Sequence, residues 1–158
     1  MKIRLLCVGR LSEAYLRDGA DEFLQRVRRY LPTDVVELKE EKIGGRRPDI
    51  ARIREREGER LLAKISDGSC LIVLDERGRG MTSPQLAGFL EEHMVHATPA
   101  LDFVIGGPYG VSDAVRQRAT LVLSLSKLTL THQMARLFLL EQLYRAMTIV
   151  RNEPYHNR

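Results

Sequence analysis

The rhythm of this sequence constrains its fold more than any single motif does. Five short apolar runs, too short for helices, alternate with segments whose apolar residues recur at helical spacing. Residues 3–8 form the first run, closed by Gly9. Leu16, Ala20, Phe23, Leu24, Val27 and Leu31 then follow a helical period, with Ser12 as the expected N-cap. Residues 34–38 predict a second, weaker strand, and Asp49 opens a heavily charged helix to about residue 65. Residues 70–74 predict a third strand, followed by a Gly/Arg loop over 75–80. The next helix is expected to start at Ser83 with Pro84 in its first position. Residues 101–105 predict a fourth strand ending in the glycine-rich segment 106–110, and a short helix from about Ser112 leads to a fifth strand at 121–125. A last helix is expected from about His132 to Val150.

Alternation of this kind predicts a single α/β domain, residues 1–158, built on a mainly parallel sheet. No repeat or linker divides it. Ligands of such sheets bind outside the carboxyl ends of the strands. The loops at 75–80, 106–110 and 126–131 are therefore where chemistry is expected. The last helix is apolar around most of its circumference, which implies burial on more than one side. One side faces the core; the other is either a subunit interface or further core of a monomer.

Composition excludes several classes. Hydrophobic residues are 44% and charged residues 29%, a globular balance. No apolar run approaches the roughly 18 residues that span a bilayer, and the first residues lack a secretory signal pattern. A cytoplasmic protein with no membrane partner is expected. Cys7 and Cys70 stand apart without CxxC spacing, and His93 with His96 lacks a third ligand, so no metal is expected. No dinucleotide or P-loop glycine motif and no nucleophile elbow occurs. The net charge of +4 is carried by residues 1–64, with 16 Lys and Arg against 12 Asp and Glu. That imbalance fits an anionic partner such as nucleic acid, and equally a solvated basic surface. The tail from Asn152 to Arg158 groups a proline, a ring able to stack on a base, an imidazole and an arginine.

Taken together, the ordered segments of the last third carry a resemblance. Phe103-Val-Ile-Gly-Gly-Pro-Tyr-Gly110 is followed by Leu123-Ser-Leu-Ser-Lys-Leu-Thr-Leu-Thr-His132, Arg136, Glu141-Gln-Leu-Tyr-Arg-Ala146 and Asn152-Glu-Pro-Tyr-His156. Residues 5–9, Gly58-Glu59, Leu74-Asp75 and Ser83-Pro-Gln-Leu86 extend the likeness to nearly the whole chain. The sequence resembles the ribosomal RNA large subunit methyltransferase H family, a small member of the SPOUT class. The resemblance implies a deep C-terminal trefoil knot, an exception to unknotted topology. It also implies a homodimer and S-adenosyl-L-methionine as methyl donor. The implied substrate is N3 of a pseudouridine in helix 69 of 23S rRNA, on the large subunit or the assembled 70S ribosome, with no DNA partner. By position, Leu74, Gly106, Leu125, Ser126, Lys127, Leu128, Thr129 and Leu130 match the family's cofactor-binding residues. Tyr155 and His156 match its tail, which in the dimer reaches the partner's cofactor site, with His156 assisting deprotonation and Tyr155 and Arg158 orienting the base and its phosphates. Two positions depart from the family pattern: Asn157 separates His156 from Arg158, and Thr131 stands where proline often precedes the histidine.

Two rivals share the fold. A ribosome-associated protein that binds RNA without catalysis would not need loops shaped for the cofactor. A SPOUT methyltransferase acting on tRNA would usually carry an extra RNA-binding domain. Lys42, Arg46 and Arg47 form a basic turn suited to RNA contact. Neutralising all three should weaken RNA binding and flatten its salt dependence, measured by anisotropy across a salt series. An unchanged slope would make the turn a solvated surface only.

Overall fold

A computed structural model describes residues 1–42 and 47–157 of the chain. Arg46 and Arg158 lie outside these residues; Lys42 and Arg47 flank the gap and are exposed. Five strands and five helices alternate: β1 (Lys2–Val8), α1 (Ala14–Arg28), β2 (Thr33–Leu38), α2 (Ile50–Leu62), β3 (Cys70–Gly80), α3 (Ser83–Val95), β4 (Ala100–Ile105), α4 (Asp113–Arg118), β5 (Leu121–Ser124) and α5 (His132–Val150). The strands form one sheet in the order β2-β1-β4-β3-β5, and every pairing is parallel. The chain is thus an α/β fold with a parallel sheet flanked by helices.

Alternation along each strand assigns its side chains to two cores. Ile3, Leu5 and Cys7 of β1, Ile72 of β3 and Leu101, Phe103 and Ile105 of β4 face α1, α3 and α5. Leu6, Val8, Leu71, Val73 and Val104 face the other way, against Leu61 of α2 and Val115 of α4. All six residues of β4 are buried, as expected of a central strand covered on both faces. Asp102, the one charged residue of β4, accepts from Ser66 N–H at 2.8 Å and Ser69 Oγ at 3.0 Å, with Arg4 Nη1 at 3.4 Å. This cluster ties down the segment that enters β3.

Helix α5 lies between α1 and α3, on the sheet. Of its residues only Phe138 is exposed, at 37%, so the apolar circumference read from sequence corresponds to burial on several sides. Arg136 is buried within it, donating from Nη2 to Gly9 O at 2.9 Å and from Nη1 to Glu37 Oε1 at 2.5 Å. Helices α1 and α5 run side by side in the same direction. Ser12 meets Gln133 near their starts, Gly19 packs on Leu137, and Tyr30 meets Glu153 beyond their ends.

Local details differ from the sequence reading at three places. Ser12 does not cap α1; Glu13 holds the N-cap position without a side-chain bond, and Ser12 N–H donates to Gln133 Oε1 at 2.9 Å. The cap of α3 is Thr82, in a capping box with Gln85, which moves Pro84 to the second helical position. Residues 75–80 are not a free loop. After a shift in register, Arg79 pairs with Leu123 and Gly80 with Ser124, so β3 continues along β5. Gly78 makes this possible, because a β-carbon there would stand 2.6 Å from Val122 O. Gly78→Ala should therefore force the β3–β5 backbones apart and cost about 1–3 kcal/mol in urea unfolding. Gly80→Ala, with no atom near the added carbon, should leave the midpoint nearly unchanged.

Candidate active site

Parallel pairing brings the carboxyl ends of β3, β4 and β5 to the same end of the sheet, so the three loops expected to carry chemistry converge. Leu74 lies where β3 breaks register, opposite Leu123 of β5. Gly106 follows β4 directly. Residues 125–130 follow β5 and lead into α5. The eight residues expected from sequence to hold the cofactor thus lie at the register break of β3 and directly after β4 and β5.

The 106–110 turn is closed by its own backbone. Gly110, at φ +80°, donates from N–H to Gly107 O at 2.9 Å. A β-carbon on Gly106 would stand 2.8 Å from Val111 Cγ1 and 2.9 Å from the Gly110 carbonyl carbon, so only glycine fits. The 125–130 segment is open instead. Among the described residues, the main chain of 127–130 makes one hydrogen bond, from Leu128 N–H to Ser126 Oγ at 2.9 Å. Its other amides and carbonyls are left for water or a ligand. Leu128 is 78% exposed, while Leu74, Leu125 and Leu130 are half-buried. Open backbone groups beside apolar side chains suit a purine ring, which needs edge hydrogen bonds and apolar faces. The residues present therefore fit an adenosyl cofactor.

Charged side chains tie these loops together. Thr129 Oγ1 donates to Glu76 Oε2 at 2.7 Å, joining the segment after β5 to the distal half of β3. Asp75 accepts from Arg77 N–H at 3.0 Å and from Arg116 Nε of α4 at 2.8 Å. Burial alone would raise the Asp75 carboxyl, but the Arg77 and Arg116 hydrogen bonds outweigh it and hold it at about 2. Glu57 of α2 is buried below the 106–110 turn. Its Oε1 accepts from Glu41 N–H at 2.9 Å, and its buried Oε2 has no partner among the described residues. Burial pushes this carboxyl above its ordinary range, against the pull of the Glu41 hydrogen bond.

The other titratable groups are sorted by their surroundings. Burial raises the Cys7 thiol to about 11 and also raises Cys70, which removes both as nucleophiles at neutral pH. His132 opens α5 beside Glu40, 3.7 Å from its carboxylate, and burial lowers the imidazole. Thr131 caps α5 by accepting from Met134 N–H at 3.1 Å, a role that proline at this position could not fill. His93 Nδ1 pairs with Thr98 Oγ1 at 2.8 Å and His96 Nδ1 with Glu92 O at 2.8 Å, and no metal-competent cluster occurs among the described residues.

The tail sits elsewhere. Tyr155 Oη donates to Glu141 Oε1 at 3.1 Å, its ring meets Tyr144 edge-on at 4.6 Å, and the Arg145 guanidinium lies 4.7 Å from the ring centre. His156 is half-buried, with Nδ1 buried and unpartnered. Glu141 is nine residues into α5, about 13 Å along the helix from the end that meets the cofactor loops. The residues expected to hold the cofactor thus lie together at the strand exits, while Tyr155 and His156 lie apart from them within one chain. Asp75, Glu76, Glu57 and Arg116, which brace these loops, were not singled out from the sequence. Glu57 and Arg116 are helix charges, which normally signal a solvated face, and Asp75 and Glu76 fall in the polar second half of β3; the hint at Glu57 was the adjacent Gly58 inside a helix.

The family described as "Predicted SPOUT methyltransferase" matches residues 1–156. The chain belongs to the SPOUT methyltransferases. Within them it stands among the ribosomal RNA large subunit methyltransferase H proteins. It is 62% identical to the protein of that name from Syntrophotalea carbinolica over 158 residues, the whole of both chains. It is 49% identical to the one from Geobacter sp. over 157 residues, 99% of each chain. The Geobacter sulfurreducens protein is 47% identical over 157 residues, covering 99% of this chain and all of the other. No helix among the described residues of this SPOUT protein is long and apolar enough to cross a membrane.

Asp75 links the site to pH. Its folded carboxyl lies below the unfolded value, so its stabilisation is complete above about pH 4 and is lost as pH falls toward 2. Asp75→Asn should cost about 1–2 kcal/mol at pH 7. Denaturation of the two proteins should converge in acid; a constant difference from pH 7 to pH 2 would mean that the Arg116 contact adds nothing through charge.

Proposed function

We propose that this chain is an rRNA methyltransferase that uses S-adenosyl-L-methionine to methylate N3 of a pseudouridine in helix 69 of 23S rRNA, on the large subunit or the assembled ribosome in the cytoplasm. The observation that carries the cofactor reading is the open main chain of 127–130, at the same end of the sheet as the exits of β3 and β4. The rRNA reading is supported by full-length identity to proteins named for that activity. The C-terminal trefoil knot belongs to the same reading, supported by a chain that passes β3 between β4 and β5 before α5 returns between α1 and α3.

When bound, the cofactor supplies a methyl group on a sulfonium, ready for in-line displacement. The chain's part is mainly positioning. The amides and carbonyls of 127–130, with Leu74, Leu125, Leu130 and Gly106, would hold the adenosyl group. Lys127 is the charged side chain of that segment and faces solvent, suited to an RNA phosphate. The attacking N3 carries a proton that must leave. His156 is the proposed base. Tyr155, braced by Glu141 and Arg145, orients the target base, and Arg158 contacts its phosphates.

Within one chain the tail lies against α5, away from the cofactor loops. The proposed enzyme is accordingly a homodimer whose site joins one protomer's loops to its partner's tail. Tritium transfer from labelled cofactor to ribosomes lacking the modification should label N3 of the helix 69 pseudouridine. Cofactor binding without label would redirect the search to other RNAs, and no binding would favour a non-catalytic RNA-binding protein. His156→Ala should lower turnover about a hundredfold or more with cofactor affinity unchanged. Mixing His156→Ala with a cofactor-loop variant such as Lys127→Glu should recover activity absent from either alone; no recovery would sink the two-chain site.

A further inference from the structure

We propose that one face of α2, formed by Arg54, Glu57 and Gly58, is a platform that holds the 106–112 segment in its cofactor-binding shape. These become positioning residues although none belongs to the cofactor loops. The inference rests on the reading of Gly106 as part of the cofactor site.

Three contacts at consecutive points fix the segment to α2. Arg54 Nε donates to Tyr109 O at 2.6 Å, at the tip of the turn. A β-carbon on Gly107 would stand 3.0 Å from Glu57 Oε2 and 3.4 Å from Oε1, so the carboxyl borders the turn where a side chain at Gly107 would otherwise reach. Gly58 lets α2 close on Ser112; a side chain there would meet Ser112 Oγ, and the added carbon would stand 3.0 Å from Ser112 Cβ. Ser112 in turn caps α4 by accepting from Val115 N–H at 3.4 Å. Both ends and the middle of the turn are thus set from one helix face, as spacing by three and four residues allows.

A buried carboxyl is costly and would be absent from a purely structural contact that a methionine could make. Glu57 holds two segments at once. Its Oε1 takes the Glu41 N–H while its other oxygen lies on Gly107, which links the strand β2 exit to the β4 exit. Val8, at the end of β1, borders the same Gly107. The platform therefore sits under the gap between β1 and β4, where the chain departs in opposite directions from adjacent strands.

The test uses the full-length protein in three variants, Arg54→Ala, Glu57→Gln and Glu57→Met. Arg54→Ala removes one surface-accessible hydrogen bond and leaves the cores intact. Glu57→Gln keeps the acceptor for Glu41, and Glu57→Met keeps the volume without it. Amide hydrogen exchange without cofactor should show faster exchange at Gly110 in Arg54→Ala and Glu57→Met, with the β1 and β4 amides unchanged and Glu57→Gln close to wild type. Calorimetry should show S-adenosyl-L-methionine binding weakened about tenfold in the same two variants and restored in Glu57→Gln. In turnover assays the loss should fall on the cofactor KM, with kcat retained at saturation. Wild-type exchange at Gly110 and wild-type cofactor affinity in Arg54→Ala would overturn the platform, even if Glu57→Met fails to fold. Wild-type protein that binds no cofactor would instead overturn the cofactor reading, and the exchange data would still judge the platform.

Discussion

Strand β4 is hydrogen-bonded on both edges, to β1 and β3, and covered on both faces by helices, so it has no free surface at all. Parallel pairing on both sides then sends all neighbouring carboxyl ends to one end of the sheet. The glycine turn after β4 lies in the middle of that end, with the β3 and β5 exits on one side and the β1 and β2 exits on the other. The site proposed around Gly106 lies at that end, where the segments after β1, β2, β4 and β5 leave the sheet.

The interior admits few charges, and each one joins elements distant in sequence. Arg136 ties α5 to the end of β1 and to β2, Asp102 ties β4 to the entry of β3, and Glu57 ties α2 to two strand exits. Apolar contacts would let helices slide along the sheet by small steps at little cost, whereas directed hydrogen bonds resist such slippage. The three charges act as registration points between the helical layers and the sheet. Arg136 and Glu57 do so at the strand exits, and Asp102 does so from within the central strand.

Element order and most boundaries were legible in the sequence, because apolar period and cap chemistry agree there. The last helix begins and ends where its pattern does, and Asp49 and Ser112 cap the helices they precede. The second half of β3 was not legible. Its residues, Asp75 to Gly80, carry loop chemistry, and only the close approach of Gly78 to Val122 reveals a strand. Ser12 misled for a related reason: a good capping residue was taken up by a long-range contact with Gln133. The loops after β4 and β5 were legible as strand exits, and the resemblance named their residues as cofactor contacts. Glu57 and Arg116 were not, since a charge buried by tertiary packing looks in sequence like any other charge on a polar helix.

The separation of the tail from the cofactor loops along α5 has a kinetic corollary. On the two-chain reading neither protomer owns a whole site, so the concentration of working centres follows dimer formation and falls faster than the protein is diluted. Specific activity then becomes a measure of association. A substitution anywhere on the contact between protomers would register as lost catalysis while every catalytic group stayed in place. Mixed populations would behave differently again, because one damaged copy spoils a site that it shares and spares the one to which it contributes only intact parts.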